Sequence, residues 1–338
     1  MELPPLPRTL RADPAEDVST VTSWLTALGV GDGHPVIPPT PVRVESMLGA
    51  WDPDEPLGTL APLRRVVTVA DVAVCAVLAG CRPSALPVLV AAVRAVQEDR
   101  FNLLGVSTTT GSAAIAVVLH GSAVSAGGAY GGANYLGPGA SANASIGRAF
   151  ATVVRVVGAA IPGVDVAIAG QPAKFGLCFG ELPGQPGWPD LGSERRGDLT
   201  VVAVSGTVEV VDAVSQDVVD LLDTLAAALL LPVAAGPDGR TLGSGEPFVV
   251  LPPEWVGRLR DAGWDKQRVR KHLWERARVP VSRLGPGIAG RSHGTKLPVA
   301  LAPEDIALLV AGGPGTKATL LPTWSSSRSV TVSVDQVR

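Results

Sequence analysis

Aromatic residues are scarce in this chain: they make up 4% of its 338 residues, whereas hydrophobic residues as a whole make up 46%. Valine, alanine and leucine therefore have to build the core, which favours layers of buried strands covered by helices. The chain is also longer than the roughly 250–300 residues at which a single hydrophobic core stops growing. We therefore expect an α/β fold, with mixed sheets of buried strands covered by helices, in two subdomains or one large domain with insertions.

Long apolar runs, basic runs and cysteines are rare as well. No apolar run reaches the roughly 20 residues of a membrane span, and residues 1–5 lack the basic and apolar regions of a secretory signal. The net charge is −3 without a basic run that would follow a phosphate backbone, which argues against nucleic acid as a partner. The three cysteines cannot all pair with one another, so a reducing, cytoplasmic location is expected. The four histidines are scattered and predict no metal site.

Apolar periodicity predicts the order of helices and strands. Helices are expected at residues 15–30, 41–48 (capped by Thr40), 67–81, 84–97, 140–157, 214–231, 253–263 and 266–278. Strands are expected at residues 113–119, 164–169 and 247–251, with three more between 305 and 334, and residues 199–211 are expected to form a strand pair or one long strand. Residues 232–246 form a connector rich in glycine and proline. A polar, turn-rich stretch at 183–196 suggests a flexible arm (1–14) followed by subdomains at 15–190 and 191–338.

Glycine is densest at residues 127–139, directly before the helix expected at 140–157. A glycine-rich loop that leads into a helix exposes backbone N–H groups, and the helix dipole favours an anion there. The spacing matches neither a Walker loop nor the dinucleotide fingerprint. The loop therefore predicts a phosphate or carboxylate site, and the alternative is that its glycines only allow tight backbone packing. The candidate binding residues are Asn134, Gly137, Gly139, Asn143, Ser145 and Arg148.

A thiol, an amine and a carboxylate lie close together in the segment 171–181. In an extended segment, Lys174 and Cys178 would share one face, and the ammonium would favour the thiolate. Cys178 is then a candidate nucleophile or proton shuttle, with Glu181 beside it. The alternative is that Cys178 is a small buried hydrophobic residue.

Several further residues are candidates for the same site. Arg82 directly follows Cys81 at the end of the helix expected at 67–81, where it could neutralise an anion. His34 and His293 lie in polar loops, although a lone histidine is more often structural. Thr108 and Thr109 belong to a row of hydroxyls that either lines a pocket or satisfies its own backbone.

Several stretches of the chain together resemble the bacterial UGSC family of (seleno)proteins, in the large region that accompanies its redox motif. The stretches lie in the same order at residues 32–40, 79–83, 101–110, 136–139, 143–149, 174–181 and 263–266. The family is named for a (seleno)cysteine-Gly-Ser-Cys motif, and no Cys-Gly-Ser-Cys occurs here. The resemblance therefore implies the large region without its redox segment, which a small thiol-bearing protein would supply in trans. It also strengthens Cys178 and residues 143–148 as candidates.

Three functional hypotheses follow. The first is an enzyme that needs no cofactor and acts on a small anionic metabolite by lyase, isomerase or thiol-dependent reductive chemistry. In it Arg82 and Lys174 neutralise the anion, Cys178 reacts, and Glu181 or His34 moves protons. The second is a non-catalytic binding or scaffold subunit that works with a thiol-bearing partner. The third, a nucleotide-dependent enzyme, is weaker because neither phosphate motif is met. A homo-oligomer is expected.

Overall fold

The helices and strands of this chain assemble into two four-stranded sheets and the helices that cover them. The computed structural model describes residues 3–230, 245–290 and 294–334. Its helices are α1 (Val18–Ala27), α2 (Pro41–Leu48), α3 (Val69–Leu78), α4 (Leu86–Ala95), α5 (Leu103–Thr108), α6 (Gly121–Gly127), α7 (Ser141–Val156), α8 (Leu191–Arg195), α9 (Val218–Ala228), α10 (Pro253–Asp261), α11 (Lys266–Arg276) and α12 (Pro286–Ala289). Its strands are β1 (Pro56–Leu60), β2 (Arg65–Thr68), β3 (Ala114–Leu119), β4 (Leu177–Gly180), β5 (Leu199–Val204), β6 (Val208–Val211), β7 (Phe248–Leu251), β8 (Arg278–Pro280), β9 (Lys296–Pro298), β10 (Ala307–Val310), β11 (Lys317–Leu321) and β12 (Val330–Val332).

Each four-stranded sheet mixes parallel and antiparallel pairs. The first sheet has the order β12-β5-β3-β4, in which β3 is parallel to β4 and antiparallel to β5. The second has the order β10-β7-β11-β6, in which β7 is parallel to β10 and antiparallel to β11. Two-stranded ribbons, β1-β2 and β8-β9, accompany them. These pairings confirm the predicted α/β class with mixed sheets.

The two sheets pack face to face, and helices cover their outer faces. Successive side chains of a strand point to opposite faces of the sheet. Val117 of β3 therefore packs with the residues of α3, α4 and α7, whereas Val118 packs with Val250 of β7. On the other face of β7, Val249 packs with residues of α9, α10 and α11. The result is four layers in the order helices, first sheet, second sheet, helices.

Small aliphatic residues fill these layers, as the composition predicts. All six residues of β5 are buried, and α3 and α4 are buried around nearly their whole circumference. Strands buried on both faces are near-continuous apolar runs, which explains why β3 and β5 are not alternating sequences. The helix α3 begins at Thr68, whose hydroxyl accepts from the Asp71 N–H while the Asp71 carboxylate accepts from the Thr68 N–H. This reciprocal capping fixes the start of the most buried helix.

Most expected elements are present, although some of their boundaries and pairings differ. The helix α2 begins after Thr40 as predicted, whereas α9 begins after Asp217, whose carboxylate accepts from the Val219 N–H. No strand forms at 164–169, because the chain turns there and the Asp165 carboxylate accepts from the Ala167 N–H. Residues 199–211 form two strands, β5 and β6, as one of the two alternatives predicts, but the strands belong to different sheets.

The layers and the predicted subdomains differ in extent. Strands β5 and β12, from the predicted second subdomain, complete the first sheet beside β3. The segment predicted as a flexible arm contains buried residues, Leu10 and Ala12, and the Arg8 N–H donates to the Asp71 carboxylate at 3.1 Å. Apolar side chains at these positions explain why the segment packs on α3. Most of the connector predicted at 232–246 lies outside the described residues.

Candidate functional site

A cleft of about 400 Å³ opens at the amino-terminal end of the parallel pair β3 and β4. Its walls come from α5, the start of β3, one side of α7 and the irregular segment 160–174. Its volume lies within the range of small-molecule sites. The lining residues are Val106, Ser107, Ala113, Ala114, Ile115, Ala151, Val154, Arg155, Ala160, Pro162, Asp165, Ala167, Ala169, Gly170, Ala173 and Lys174.

One hydroxyl in this cleft lacks a hydrogen-bond partner. Ser107 is 5% exposed, and among the described residues no group donates to or accepts from its Oγ atom. Its neighbours are satisfied locally: the Thr108 hydroxyl donates to the Leu104 carbonyl at 2.8 Å, and the Thr109 hydroxyl accepts from the Gly111 N–H at 3.0 Å. Buried polar groups without partners are rare in folded proteins, and each calls for an explanation. Of the two alternatives for this row of hydroxyls, hydrogen bonding to the local backbone therefore describes Thr108 and Thr109.

Helical spacing could have identified Ser107 from the sequence. The buried residues of α5 are Leu103, Val106 and Ser107, which follow the i, i+3, i+4 spacing of one helix face. A serine on the inner face of a helix has to find a partner or a ligand, whereas Thr108 on the next position turns outward.

Three ionisable side chains, Lys174, Asp165 and Arg155, are among the described residues that line the cleft. The Lys174 ammonium donates to the Asp165 carboxylate, and the two side chains are 22% and 25% exposed. Arg155 donates to the backbone carbonyls of Val30 and Gly31 at 2.6 and 2.7 Å. Burial lowers the pKa of Arg155, but its ordinary value is so high that the guanidinium stays charged. The Arg155 guanidinium is thus held by the loop before Asp32, and the Lys174–Asp165 pair provides the charged groups that face the cleft.

Cys178 does not line this cleft. It lies in the middle of β4, is 3% exposed and packs in the apolar core beneath the helices of the first layer. Burial raises the pKa of the Cys178 thiol well above its usual range, which opposes the thiolate. Lys174 does not share a face with it, because residues Pro172–Phe175 form a 3₁₀ turn and the ammonium pairs with Asp165. The prediction of an activated cysteine is therefore not supported by the packing around Cys178.

Glu181 belongs to a buried network between the two sheets. Its carboxylate accepts from His120 Nδ1 at 2.7 Å and from the N–H groups of Leu191 at 2.9 Å and Val310 at 3.3 Å. His120 Nε2 lies 2.8 Å from the Thr200 hydroxyl, so both ring nitrogens have partners. His120 and Glu181 directly follow the carboxyl ends of β3 and β4. The network joins β3, β5, α8 and β10. Because both carboxylate oxygens of Glu181 accept hydrogen bonds within it, Glu181 does not serve Cys178 as a proton carrier.

The glycine-rich loop is packed against protein. A side chain at Gly131 would place its Cβ 2.2 Å from the Gly180 carbonyl oxygen. Asn143 accepts from the Tyr130 N–H and donates to the Tyr130 and Tyr135 carbonyls at 2.8–3.0 Å, so its amide is fully used inside the loop. Asn134 donates to the Pro138 carbonyl. The tight-packing alternative thus describes this loop better than the predicted anion site.

The remaining loop glycines also serve the turn. A Cβ at Gly137 would meet the Asn134 side chain at 2.1 Å, and Gly139 has a φ of +112°, which favours glycine. Gly312 bridges to Gly132 from the second layer, so a second glycine turn covers the first.

Several other predicted residues meet on the exposed side of α7. Arg148 holds Asp32 with two hydrogen bonds of 2.7 and 2.9 Å and donates to the His34 carbonyl at 3.1 Å. One turn earlier, the Ser145 hydroxyl donates to the Ala142 carbonyl of the same helix at 3.3 Å. The side chain of His34 is 58% exposed, and Arg82 is exposed too. Of the predicted site residues, Lys174 lines the cleft, and His293 lies outside the described residues.

The described ranges contain neither a metal-ligand cluster nor a membrane-spanning helix. No group of three histidine, cysteine, aspartate or glutamate residues there is arranged to hold a metal ion. Likewise, no helix in the part of the chain that the structure describes is long and apolar enough to cross a membrane. No family model, no curated protein and no solved structure matches this chain.

Proposed function

We propose that this protein binds a small anionic metabolite in the cleft lined by Ser107 and Lys174. The observation that carries the proposal is the buried Ser107 hydroxyl without a partner, since a buried hydroxyl left unsatisfied costs about 1–3 kcal/mol. A ligand oxygen at this position would complete its hydrogen bond. The Lys174 ammonium in the lining supports an anion as the ligand, because it is a cation that a carboxylate or phosphate can bind.

A binding measurement with two cleft variants tests this proposal. The probes are aliphatic and aromatic carboxylates and inorganic phosphate, and the readout is calorimetric affinity. Ser107→Ala should weaken binding about tenfold, since a hydrogen bond to a charged group contributes about 1.5 kcal/mol. Lys174→Met removes the ammonium and should weaken binding further.

Matched controls are available in the same helix and in the core. Thr108→Ala removes a hydroxyl that is already satisfied by the Leu104 carbonyl, and Cys178→Ala removes the buried thiol. Both controls should bind like the unaltered protein. Equal affinity for Ser107→Ala and Thr108→Ala would contradict the proposed site.

We further propose that binding is the first step of an enzymatic reaction in this cleft. Lys174 and Asp165 are the groups there that can donate and accept a proton, the roles that lyase and isomerase chemistry needs. Cys178 has no role in this proposal. NMR of each bound probe after incubation with the protein in D₂O tests it. Product formation or deuterium exchange that Lys174→Met abolishes supports an enzyme, and unchanged ligands under saturating protein contradict one.

A second candidate function is the partner-dependent role that the resemblance to the UGSC family implies. Its support is spatial: stretches 32–40, 79–83 and 143–149 of that resemblance meet on one side of α7, where Asp32, Ala79 and Arg148 line one small cavity and Arg148 pairs with Asp32. A small thiol-bearing protein acting in trans would meet this surface at Cys81, which is partly exposed. Co-purification from the native host tests it. A thiol-bearing partner that Arg148→Ala releases supports this role, and a homo-oligomer alone contradicts it.

The nucleotide-dependent enzyme is the weakest of the three candidates. The cleft lining contains no aromatic side chain on which a base could stack. A melting-temperature scan with ATP and NAD(P) tests this candidate, because a ligand at 100 times its Kd adds about 2.7 kcal/mol to stability.

A further inference from the structure

The walls of the cleft indicate what kind of anion it would accept. Thirteen of the sixteen lining residues are alanine, glycine, proline, valine, isoleucine or serine with a short or aliphatic side chain. The larger apolar surfaces are those of Val106, Ile115, Val154 and Pro162. Such walls contact an aliphatic body well, and they offer few groups that could hydrogen-bond a sugar or a base. The charged groups lie apart from these surfaces, at Lys174, Asp165 and Arg155.

Asp165 already provides a carboxylate to the cleft. It lies on the irregular segment between α7 and β4, and its carboxylate accepts from the Lys174 ammonium and from the Ala167 N–H. The ammonium that would recognise a ligand anion is therefore occupied by an anion of the chain itself. A partly exposed ion pair of this kind contributes little to stability, so another carboxylate can replace Asp165 at low cost.

The segment that carries Asp165 has few backbone bonds to its surroundings. Within residues 161–170, the Val164 and Asp165 N–H groups donate to the Ile161 carbonyl of the same segment. The Ile168 N–H bonds to the Thr110 carbonyl at 2.9 Å, beside α5. The Ile168 side chain is 87% exposed, so it anchors nothing. Local turns can persist while the segment moves away from Lys174.

Resting on the proposed function above, we propose that the ligand is an aliphatic carboxylate that replaces Asp165 on the Lys174 ammonium. Asp165 is then an internal competitor, and the segment 161–170 has to release Lys174 before the ligand binds. The apparent affinity is lowered by the fraction of molecules in which Asp165 occupies the ammonium. Removal of that carboxylate should therefore strengthen binding, which is the reverse of the effect expected for a residue that contacts the ligand favourably.

The test measures carboxylate affinity with Asp165→Asn. The probes are butanoate, hexanoate and octanoate, with hexan-1-ol as the uncharged probe of the same chain. Asp165→Asn should bind hexanoate about two- to fivefold more tightly than the unaltered protein, which is the scale of one partly exposed ion pair. Hexan-1-ol should show no gain, and the gain should vanish when Lys174→Met is added. Asp261→Asn is the control, because it removes the same charge from an exposed position on α10.

The outcomes separate this inference from the proposed function. If the unaltered protein binds hexanoate and Asp165→Asn binds it equally or more weakly, replacement of Asp165 is wrong while the cleft remains the site. If phosphate or aromatic carboxylates bind and the aliphatic series does not, the ligand class is wrong. If none of the anions binds to either protein, both the inference and the proposed function fail.

Discussion

Two groups of polar side chains lie inside this apolar protein, and they differ in whether their hydrogen bonds are complete. The Glu181 carboxylate accepts from His120 and from two backbone N–H groups, and His120 uses its second ring nitrogen on Thr200. In the cleft, the Ser107 hydroxyl has no partner among the described residues. A complete network fixes a structure, whereas an incomplete one costs free energy and is expected where a ligand completes it.

The positions of the two groups in the sheet reverse the usual arrangement. In open α/β sheets, ligands bind outside the carboxyl ends of the parallel strands. Here the carboxyl ends of β3 and β4 lead into His120 and Glu181, and the glycine-rich loop and the second sheet cover them. The opposite, amino-terminal end of the same strand pair opens into the cleft. Local contacts explain this reversal, because the Val310 N–H donates to Glu181 and Gly312 bridges to Gly132 at the end where a ligand would otherwise bind.

The largest expected effect is the loss of the Glu181 carboxylate. Glu181→Ala leaves His120 Nδ1 and the Leu191 and Val310 N–H groups without their acceptor, and it should reduce the free energy of unfolding by about 3–5 kcal/mol. Urea unfolding measures this loss. Glu181→Gln keeps the side-chain shape and one oxygen, so its stability should lie between those of the unaltered protein and Glu181→Ala. Glu209→Ala, on the exposed face of β6, should change stability little. A loss below about 1 kcal/mol for Glu181→Ala would mean that the network does not join the sheets.

A smaller loss is expected when the far end of the same network is removed. Thr200→Val keeps the side-chain shape in β5 but leaves His120 Nε2 and the Thr331 hydroxyl without a bond to Thr200. It should lower the free energy of unfolding by about 1–3 kcal/mol, again by urea unfolding. Ligand affinity in the cleft should not change, because Thr200 is not among the lining residues. A neutral result would contradict a network in which every bond is used.

Local signals in the sequence predicted much of the fold. Helix α2 begins after Thr40 with Pro41 at its first position, and a threonine cap followed by proline is sufficient to predict this start. The buried strand β3 is an apolar run bracketed by polar turns. The sheet order is different, because it depends on pairings between distant segments such as β5 with β12. No local pattern distinguishes one long strand at 199–211 from two strands in separate sheets.

The candidate site was harder to predict for a physical reason. A glycine-rich sequence indicates that another group approaches the backbone closely, but it does not distinguish a ligand from another strand. At Gly131 the approaching group is the Gly180 carbonyl. The alternation of side chains puts Lys174 and Cys178 on one face only if residues 174–178 are extended. The 3₁₀ turn at Pro172–Phe175 breaks that condition. Burial of Cys178 in β4 depends on the close packing of α7 over Gly147 and was not visible from the cysteine's neighbours.

The smallest expected change has the opposite sign and separates the two regions most sharply. Ser107→Ala removes a buried hydroxyl, as Thr200→Val does, but this hydroxyl has no partner to lose. The free energy of unfolding should therefore rise by up to about 1 kcal/mol, because an unsatisfied buried group disappears. Part of any gain comes from the higher helix propensity of alanine, which accounts for about 0.5 kcal/mol. Greater stability together with weaker carboxylate binding is the combination expected of a group retained for recognition. Destabilisation like that of Thr200→Val would show that the Ser107 hydroxyl already has a partner in the folded protein, and the two regions would then be alike.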